Sequence, residues 1–445
     1  MFYDILFLVI IIAEKIVSGG DSLAKINGKA VFVPQLLPGE KAEIEITESH
    51  KDYDRGKVIK ILESSPVRRE PPCPYYGKCG GCNLQIANDE AQKQIRLQIL
   101  QDCFRRALRL GAEDKSSEAA KVVYGATVVS GENWGYRNRF QFHSGGLKRK
   151  AQESIIALDD CPVAVPEVRE LLKGKKLPER YGRLHVFNGN VAEEKEFLPR
   201  NGVASWGSNR RDSHKRDENE DVHETSVEIC GKQIFFDVRG FFQSNIGAFQ
   251  KAIEVIKSIV AKYADIAKAR HTEKSAQSDD TTKAGAVDGS YELLDMYAGV
   301  GTFSALLGDM FSKTTLVEHN KKALRFTDKN LGNIPHDVYA MTGEKWVRTP
   351  SAQKKYDAVI IDPPRSGIEK PVMNWLRAEQ RGKRPDVIFS VSCDPVTHAR
   401  DAALLTAAGY KMTTLMMLDF YPQTSHIESF AVFVSDHNKS VGGSL

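Results

Sequence analysis

Apolar positions follow three different rhythms along the chain. In the first 64 residues they come as short patches. Ile5 to Ala13 is an unbroken apolar run between Asp4 and Glu14-Lys15, and it reads as a first strand. Lys29 to Val33 is a second patch, followed by the turn signal Leu37-Pro38-Gly39. Ala42 to Ile46 alternates at period two, and Gly56 to Leu62 closes the set. Several short strands at this spacing predict a small β-barrel. Between Asp89 and Arg109 the rhythm turns helical, with Ile95, Leu97, Ile99, Leu100 and Phe104 as its apolar members. Residues 121–240 read as mixed and strand-rich, with a charged surface loop over 206–224. From Leu293 onward apolar strands alternate with helices, the pattern of an α/β wind. The predicted strands are 292–296, 314–318, 357–361, 386–391 and 428–434. Residues 264–290 are rich in Ala, Ser, Thr, Lys and Asp without a hydrophobic period, and predict a flexible insertion.

These rhythms divide the chain into parts spanning 1–64, 65–240 and 241–445, with helix 89–109 available to pack on the last part. The 445 residues are 41% hydrophobic and 27% charged, an ordinary globular composition. The net charge of +4 says little about partners. The clusters Arg68-Arg69, Arg105-Arg106, Lys148-Arg149-Lys150 and Lys173-Gly174-Lys175-Lys176 say more, because all fall in the first half and together predict a nucleic-acid-facing surface. The N-terminal apolar run is too short to span a bilayer and lacks the basic flank of a secretory signal, so the expectation is a cytoplasmic protein with no membrane association. Of seven cysteines, Cys73, Cys79 and Cys82 lie within ten residues. That clustering favours metal over disulfides and a reducing compartment.

Two stretches carry candidate chemistry in the α/β part. Leu293 to Phe303 reads as strand, glycine loop and helix, with Gly299 and Gly301 free to let the backbone approach a ligand. Glu318 ends the next strand, where an acid can accept bonds from both ribose hydroxyls of a nucleoside cofactor. The third glycine of a pyrophosphate fingerprint is missing, which favours S-adenosyl-L-methionine over a dinucleotide. A further strand ends in Asp362-Pro363-Pro364-Arg365, placing Asp362 against a base or the cofactor and Arg365 against a phosphate or an internal acid. Finally Val387 to Val391 is an apolar strand that runs into Ser392-Cys393-Asp394-Pro395. Most free cysteines are inert packing. Cys393, held by a turn at the end of a strand, stands instead where α/β sheets place their chemistry, and is a candidate nucleophile.

The order Gly-X-Gly, Asp-Pro-Pro-Arg-Ser-Gly, Ser-Cys-Asp-Pro and Pro422-Gln423-Thr424-Ser425-His426-Ile427-Glu428 resembles the RNA uracil-5 methyltransferases. Gly240 to Asn245 is similar to that family's Phe-X-Gln-X-Asn segment. Cys73, Cys79, Cys82 and Cys161 resemble the set that holds a [4Fe-4S] cluster in its ribosomal-RNA branch, and the N-terminal part resembles the TRAM domain of that branch. The resemblance covers nearly the whole chain. It implies a Rossmann-like S-adenosylmethionine-dependent methyltransferase domain, preceded by an OB-like TRAM barrel and a mixed α+β iron–sulfur domain. It implies Cys393 as the thiolate that adds to carbon 6 of uracil and Glu428 as the base that removes the carbon 5 proton. It carries over Gln243, Tyr297, Gly299, Gly301, Thr302, Glu318, Glu344 and Asp362 as cofactor-binding, and Arg137 and Arg139 as RNA-binding. His426 either orients Glu428 or packs beside it. The target uracil has to leave its stack to reach the cysteine. Asp394 stands where the family often has Asn, and Ala298 where it often has Cys or Ser. Four thiolates also suit zinc, so iron–sulfur is implied by the resemblance and not by spacing. The implied partner is RNA, ribosomal or transfer, with no obligate protein partner. A non-catalytic RNA-binding or assembly factor is the alternative from another class, and intact Cys393, Glu428 and Asp362 weigh against it.

Overall fold

The computed structural model describes residues 8–111, 115–150, 152–174, 177, 183–194, 222–277, 291–378 and 384–436. The chain opens with β1 (Leu8–Ile12), β2 (Lys15–Ile16), β3 (Ser22–Ile26), β4 (Lys29–Val33), β5 (Lys41–Ser49) and β6 (Tyr53–Glu63). They form one sheet in the order β1-β5-β6-β4-β3-β2. Period-two alternation turns Ile11, Ala24, Val31, Val33, Ala42 and Ile44 inward as a separate core. The Glu14 N–H donates to the Leu23 carbonyl at 2.8 Å and the Ala13 N–H to the Glu40 carbonyl at 2.9 Å, which curls the sheet.

The cysteine segment leads into α1 (Asp89–Ala107), α2 (Glu118–Tyr124) and β7 (Thr127–Ser130). Asn88 caps α1, its side-chain oxygen accepting the Ala91 N–H at 2.9 Å. Then β8 (Arg139–His143), β9 (Leu147–Lys148), β10 (Ile155–Ile156), α3 (Pro166–Lys173), β11 (Arg183–Phe187) and β12 (Asn190–Glu194) gather around Phe140, Phe142, Val168, Leu184 and Val186. A hairpin of β13 (Glu224–Ile229) and β14 (Lys232–Asp237) precedes the long α4 (Ile246–Gln277).

The remaining elements are β15 (Glu292–Met296), α5 (Thr302–Leu307), β16 (Lys313–Glu318), α6 (Lys321–Leu324), α7 (Thr327–Leu331), β17 (His336–Ala340), α8 (Gly343–Trp346), β18 (Ala358–Ile361), α9 (Lys370–Leu376), β19 (Val387–Ser392), α10 (Pro395–Ala407), β20 (Tyr410–Asp419) and β21 (Glu428–Ser435). Among the described residues, eight strands make one sheet in the order β17-β16-β15-β18-β19-β21-β20-β7. The strands β15 to β19 run parallel, and β21 lies antiparallel between β19 and β20. Alternate residues feed two cores. Leu293, Leu316, Ile360 and Phe389 face α4 and α5, while Leu294, Val317, Val359 and Ile388 face α1, α9 and α10. Burial on both faces is why β18 and β19 read as near-continuous apolar runs.

Three departures from the sequence reading follow from this sheet. Strand β7 pairs in parallel with β20, so residues 127–130 complete the eight-stranded sheet although they precede position 240. The predicted boundary therefore does not separate the parts in space. Helix α4 continues to Gln277, so the first half of the predicted insertion is helical. The reason is alanine: Ala264 and Ala267 are buried, Ala264 in the core it shares with the sheet, and small side chains leave no visible apolar period. Positions 278–290, and 206–221 of the predicted loop, lie outside the described residues. Strands β17 and β20 escape the sequence reading altogether. No helix among the described residues is long and apolar enough to cross a membrane.

Candidate active site

The parallel strands end on one edge, and the loops leaving them line a cavity of about 990 Å³. That is room for a nucleoside-sized ligand and a base together. Its first wall is the turn after β15. Tyr297 and Ala298 both donate their N–H to the Val317 carbonyl, at 2.9 and 3.1 Å, which bends the chain sharply and leaves Tyr297 at φ +67°. Gly299 (φ +58°) has open space where a side chain would be, and its N–H donates to Glu318 Oε2 at 3.0 Å. Gly301 (φ +79°) caps α5 and does not line the cavity. A Cβ there would meet Leu331 at 2.9 Å and Leu316 at 3.1 Å, so this glycine serves packing behind the loop. Asp295 fastens the turn from beneath, accepting the Ser304 N–H at 3.1 Å and the Ser304 hydroxyl at 2.6 Å. Burial pushes its carboxyl up to about 6 against those two bonds.

Glu318 ends β16 with one oxygen on Gly299 and the other accepting the Asn320 N–H at 2.6 Å. The His319 ring also lies 3.0 Å from Oε1, so Oε2 is the oxygen that keeps a lone pair for a further donor. Gln243, Tyr297, Thr302 and Asp362 line the same space. The Gln243 Oε1 is buried without a hydrogen-bond partner among the described residues, as a ligand-facing amide would be. Glu344 is not in this wall. It lies exposed on α8, bonded to Arg348 at 2.9 Å, because the chain turns into α8 with that side chain outward. The acid that reaches the cavity is Glu369. It accepts the Glu344 N–H at 2.9 Å and donates its own N–H to the Tyr297 hydroxyl at 3.2 Å. Glu369 follows Ser366-Gly367 in a loop with no sequence period, and no sequence signal marks it.

The opposite wall carries Cys393 and Glu428. Strands β19 and β21 pair antiparallel with Ser392 opposite Ser429, so the next pair along brings Cys393 and Glu428 side by side at the cavity edge. Asp394 caps α10, accepting the N–H groups of Val396 and Thr397 at 3.0 and 2.8 Å, and thereby fixes the turn behind the thiol. Burial, then the charges of Glu428 and Asp362, push the Cys393 thiol up to about 11, against the pull of the Arg365 guanidinium. Burial and the Asp362 carboxylate likewise push Glu428 well above the usual carboxylate range. Beneath them His398 bonds Ser429 Oγ at 2.7 Å, and Ser429 donates to the Ser392 carbonyl at 3.3 Å. His426 lines the cavity with its ring edge-on to Tyr421 at 5.9 Å, and partial desolvation followed by the charges of Arg365 and Arg137 pulls its pKa below the usual imidazole value.

The two predicted RNA-binding arginines part company. Arg137 lies over the Phe140 ring at 4.7 Å and lines the cavity. Arg139 turns inward and donates to the Gly240 carbonyl at 3.1 Å, holding the Gly240–Gln243 segment in place. Tyr421 and the exposed Phe241 also line the cavity without a sequence signal beyond their neighbours.

Cys73, Cys79, Cys82 and Cys161 line one small cavity beside the first, and Arg137 and Gly81 line both. Burial pushes the Cys82 thiol up to about 12 and Cys161 up to about 11, so a bound cation has to displace their protons. Among the described residues, no three or more ligating side chains stand ready around a single metal ion. Sulfurs around one tetrahedral ion lie about 3.8 Å apart.

The family description "TRAM domain" matches residues 7–59, and "tRNA (Uracil-5-)-methyltransferase" matches residues 350–436. The chain is 37% identical to an uncharacterized RNA methyltransferase of Treponema denticola, over 95% of this chain and 98% of that one. It is 28% identical to a 23S rRNA (uracil(1939)-C(5))-methyltransferase of Shewanella amazonensis, over 93% of each. The solved tRNA (uracil-54, C5)-methyltransferase of Pyrococcus abyssi, in complex with S-adenosyl-L-homocysteine, aligns at a TM-score of 0.61 and 21% identity over 95% of this chain and 99% of that one. At that identity the likeness speaks for the fold.

Proposed function

The chain belongs to the RNA uracil-5 methyltransferase family, enzymes that methylate uracil carbon 5 with S-adenosylmethionine, and from that premise we propose that its substrate is a uridine of 23S ribosomal RNA, methylated through a covalent adduct on Cys393. The observation that carries the mechanism is the pairing of Cys393 with Glu428 at one edge of a cavity whose other wall is the β15 turn. Carbon 5 of uracil is a weak nucleophile. The Cys393 thiolate adds to carbon 6, forming a C–S bond and leaving carbon 5 electron-rich. S-adenosylmethionine, when bound, would supply an electrophilic methyl group to carbon 5, its methyl–sulfonium bond breaking to leave S-adenosylhomocysteine. Glu428 then takes the carbon 5 proton, and the C–S bond breaks to return the thiolate. Gln243, Tyr297, Thr302, Glu318 and Asp362 are the residues proposed to hold the methyl donor, with Glu318 on its ribose. Arg365 is exposed at the cavity and favours both the thiolate and the Glu428 carboxylate.

Two features support ribosomal RNA: the TRAM domain and the four cysteines beside the active cavity, which we assign to a [4Fe-4S] cluster with a structural or RNA-positioning role. The test is mass spectrometry of ribosomal and transfer RNA after incubation with anaerobically purified protein and S-adenosylmethionine, beside Cys393→Ala. New 5-methyluridine in 23S RNA, absent with the variant, is the expected result. Methylation confined to transfer RNA overturns the substrate. Iron and acid-labile sulfide are expected in the same preparation and lost in Cys82→Ser; zinc in their place overturns the cluster.

A further inference from the structure

The segment between β20 and β21 brings Thr424, His426 and, at its end, Glu428 to the cavity. It is held from outside its own sheet. Gln423 sits at its centre, completely buried and at φ +70°, a conformation that a residue with a side chain keeps only when its surroundings enforce it. Its side chain meets Gln92 at 2.8 Å and Asp89 at 3.0 Å, both on α1. Its carbonyl accepts two N–H groups, from Asn83 at 3.2 Å and Leu84 at 3.1 Å. The Asn83 side chain then closes on Ser425 in both directions. Its Oδ1 accepts the Ser425 N–H at 2.7 Å, and its Nδ2 donates to Ser425 Oγ at 2.9 Å and to the Gly19 carbonyl at 3.3 Å. Gly20 closes over this pair: a Cβ there would meet Asn83 Nδ2 at 2.4 Å and Ser425 Oγ at 2.8 Å. Asn83 directly follows Cys82.

Three separately built parts of the molecule thus meet on one amide. We propose that Asn83 is a positioning residue, through which the cysteine segment and the N-terminal sheet set the loop that carries His426 and Glu428. The proposal rests on the reading of Glu428 as the base. An amide that makes two matched bonds fixes orientation as well as distance, and a displacement of about 1 Å at a catalytic group costs about 100-fold in rate. The methyl donor is held on the far wall and does not depend on Asn83.

The test measures turnover, the KM for S-adenosylmethionine, and SDS-stable protein–RNA adduct during turnover, in Asn83→Ala, Ser425→Ala, the double variant, Asn83→Asp and Glu428→Gln. Asn83→Ala is expected to lose about 10- to 100-fold in kcat. Its KM for the methyl donor should stay within about twofold, with methylated adduct accumulating because proton removal is slowed. Asn83→Asp keeps the acceptor for the Ser425 N–H and should recover part of the loss. The double variant should be no worse than Asn83→Ala, because the two side chains act as a unit. Parent-like turnover in Asn83→Ala while Glu428→Gln stalls overturns the proposal. So does a loss without adduct accumulation, or effects of the two single variants that multiply. Normal turnover in Glu428→Gln overturns instead the assignment of the base.

Discussion

Cys393 and Glu428 are held in a site that resists ionising either of them, and Arg365 is the counterweight. Because the thiol is pushed up to about 11, kcat/KM should rise with pH across the alkaline range. Removing the guanidinium raises the thiol further, so Arg365→Ala should move that rise to higher pH and lower the rate at pH 8 by about three- to tenfold. The effect is held to that range because Arg365 is exposed and its field is screened. Arg365→Lys should restore most of the profile. A pH–rate profile that does not move would remove Arg365 from the mechanism. His398 gives a different pH signature. Burial pulls its folded value down to about 3, against about 6.5 unfolded, so the unfolded chain binds the proton first. Its contribution is present above about pH 6.5 and is lost as pH falls toward 3. Urea unfolding between pH 7 and 5 should therefore show a slope shallower by about 1 kcal/mol per pH unit in His398→Leu. An unchanged slope would mean that the folded ring takes up a proton freely.

At the level of elements, the loop before Glu428 depends on α1 more than on its own strands. Arg96 on α1 donates to the Tyr421 and Thr424 carbonyls, at 2.9 and 3.2 Å, and pairs with Asp419 at 2.9 Å, both side chains about 1% exposed. Burial pulls the Arg96 guanidinium down and pushes the Asp419 carboxyl up, each opposed by the other's charge. Arg96→Ala should cost about 3–5 kcal/mol in urea unfolding, because it strands a buried carboxylate. The pair Arg96→Met with Asp419→Leu should recover most of that stability but not the activity, since the two loop carbonyls still lack their donor. Recovery of both would show that the arginine serves packing alone. None of this is visible from spacing: 323 positions separate Arg96 and Asp419. What spacing does reveal is the parallel core. β15, β16, β18 and β19 are buried on both faces and keep enough consecutive apolar residues to read as strands, which lead into Tyr297, Glu318, Asp362 and Cys393. β20 escapes because Met412 to Leu418 mixes threonines with methionines that suit a helix equally well. β17 escapes because it is an edge strand with none of its five residues fully buried. Glu344 and Glu369 exchange places for a related reason: a loop's aim is set by tertiary contacts that leave no period.

Across the whole molecule, the mouth of the cavity is shared between parts. Gly80 and Gly81 line it, and the cysteine segment is tied to the β9–β10 hairpin through Gly80 N–H to the Lys148 carbonyl and Lys150 N–H to the Lys78 carbonyl. This brings the exposed Lys78 and Lys150 to the rim. Replacing both with Ala should weaken RNA binding without lowering kcat at saturating RNA. The slope of log affinity against log salt should fall by about 0.7 for each phosphate no longer neutralised. An unchanged slope would place the RNA path elsewhere. The edge strand β7 bears on how such a protein is made. It is synthesised 289 residues ahead of the neighbour it pairs with, since Thr127 lies opposite Met416. A ribosome that has released the first half has made a strand with no sheet to join, and the sheet's last position stays open until the C-terminus emerges. Contacts this distant in sequence are slow to form and leave apolar edges uncovered meanwhile. A fragment beginning at position 241 should accordingly aggregate, with β20 bare along one side. The same fragment mixed with a separately expressed 65–240 segment should regain solubility, because the waiting side of β20 is then covered by the strand that the chain makes first.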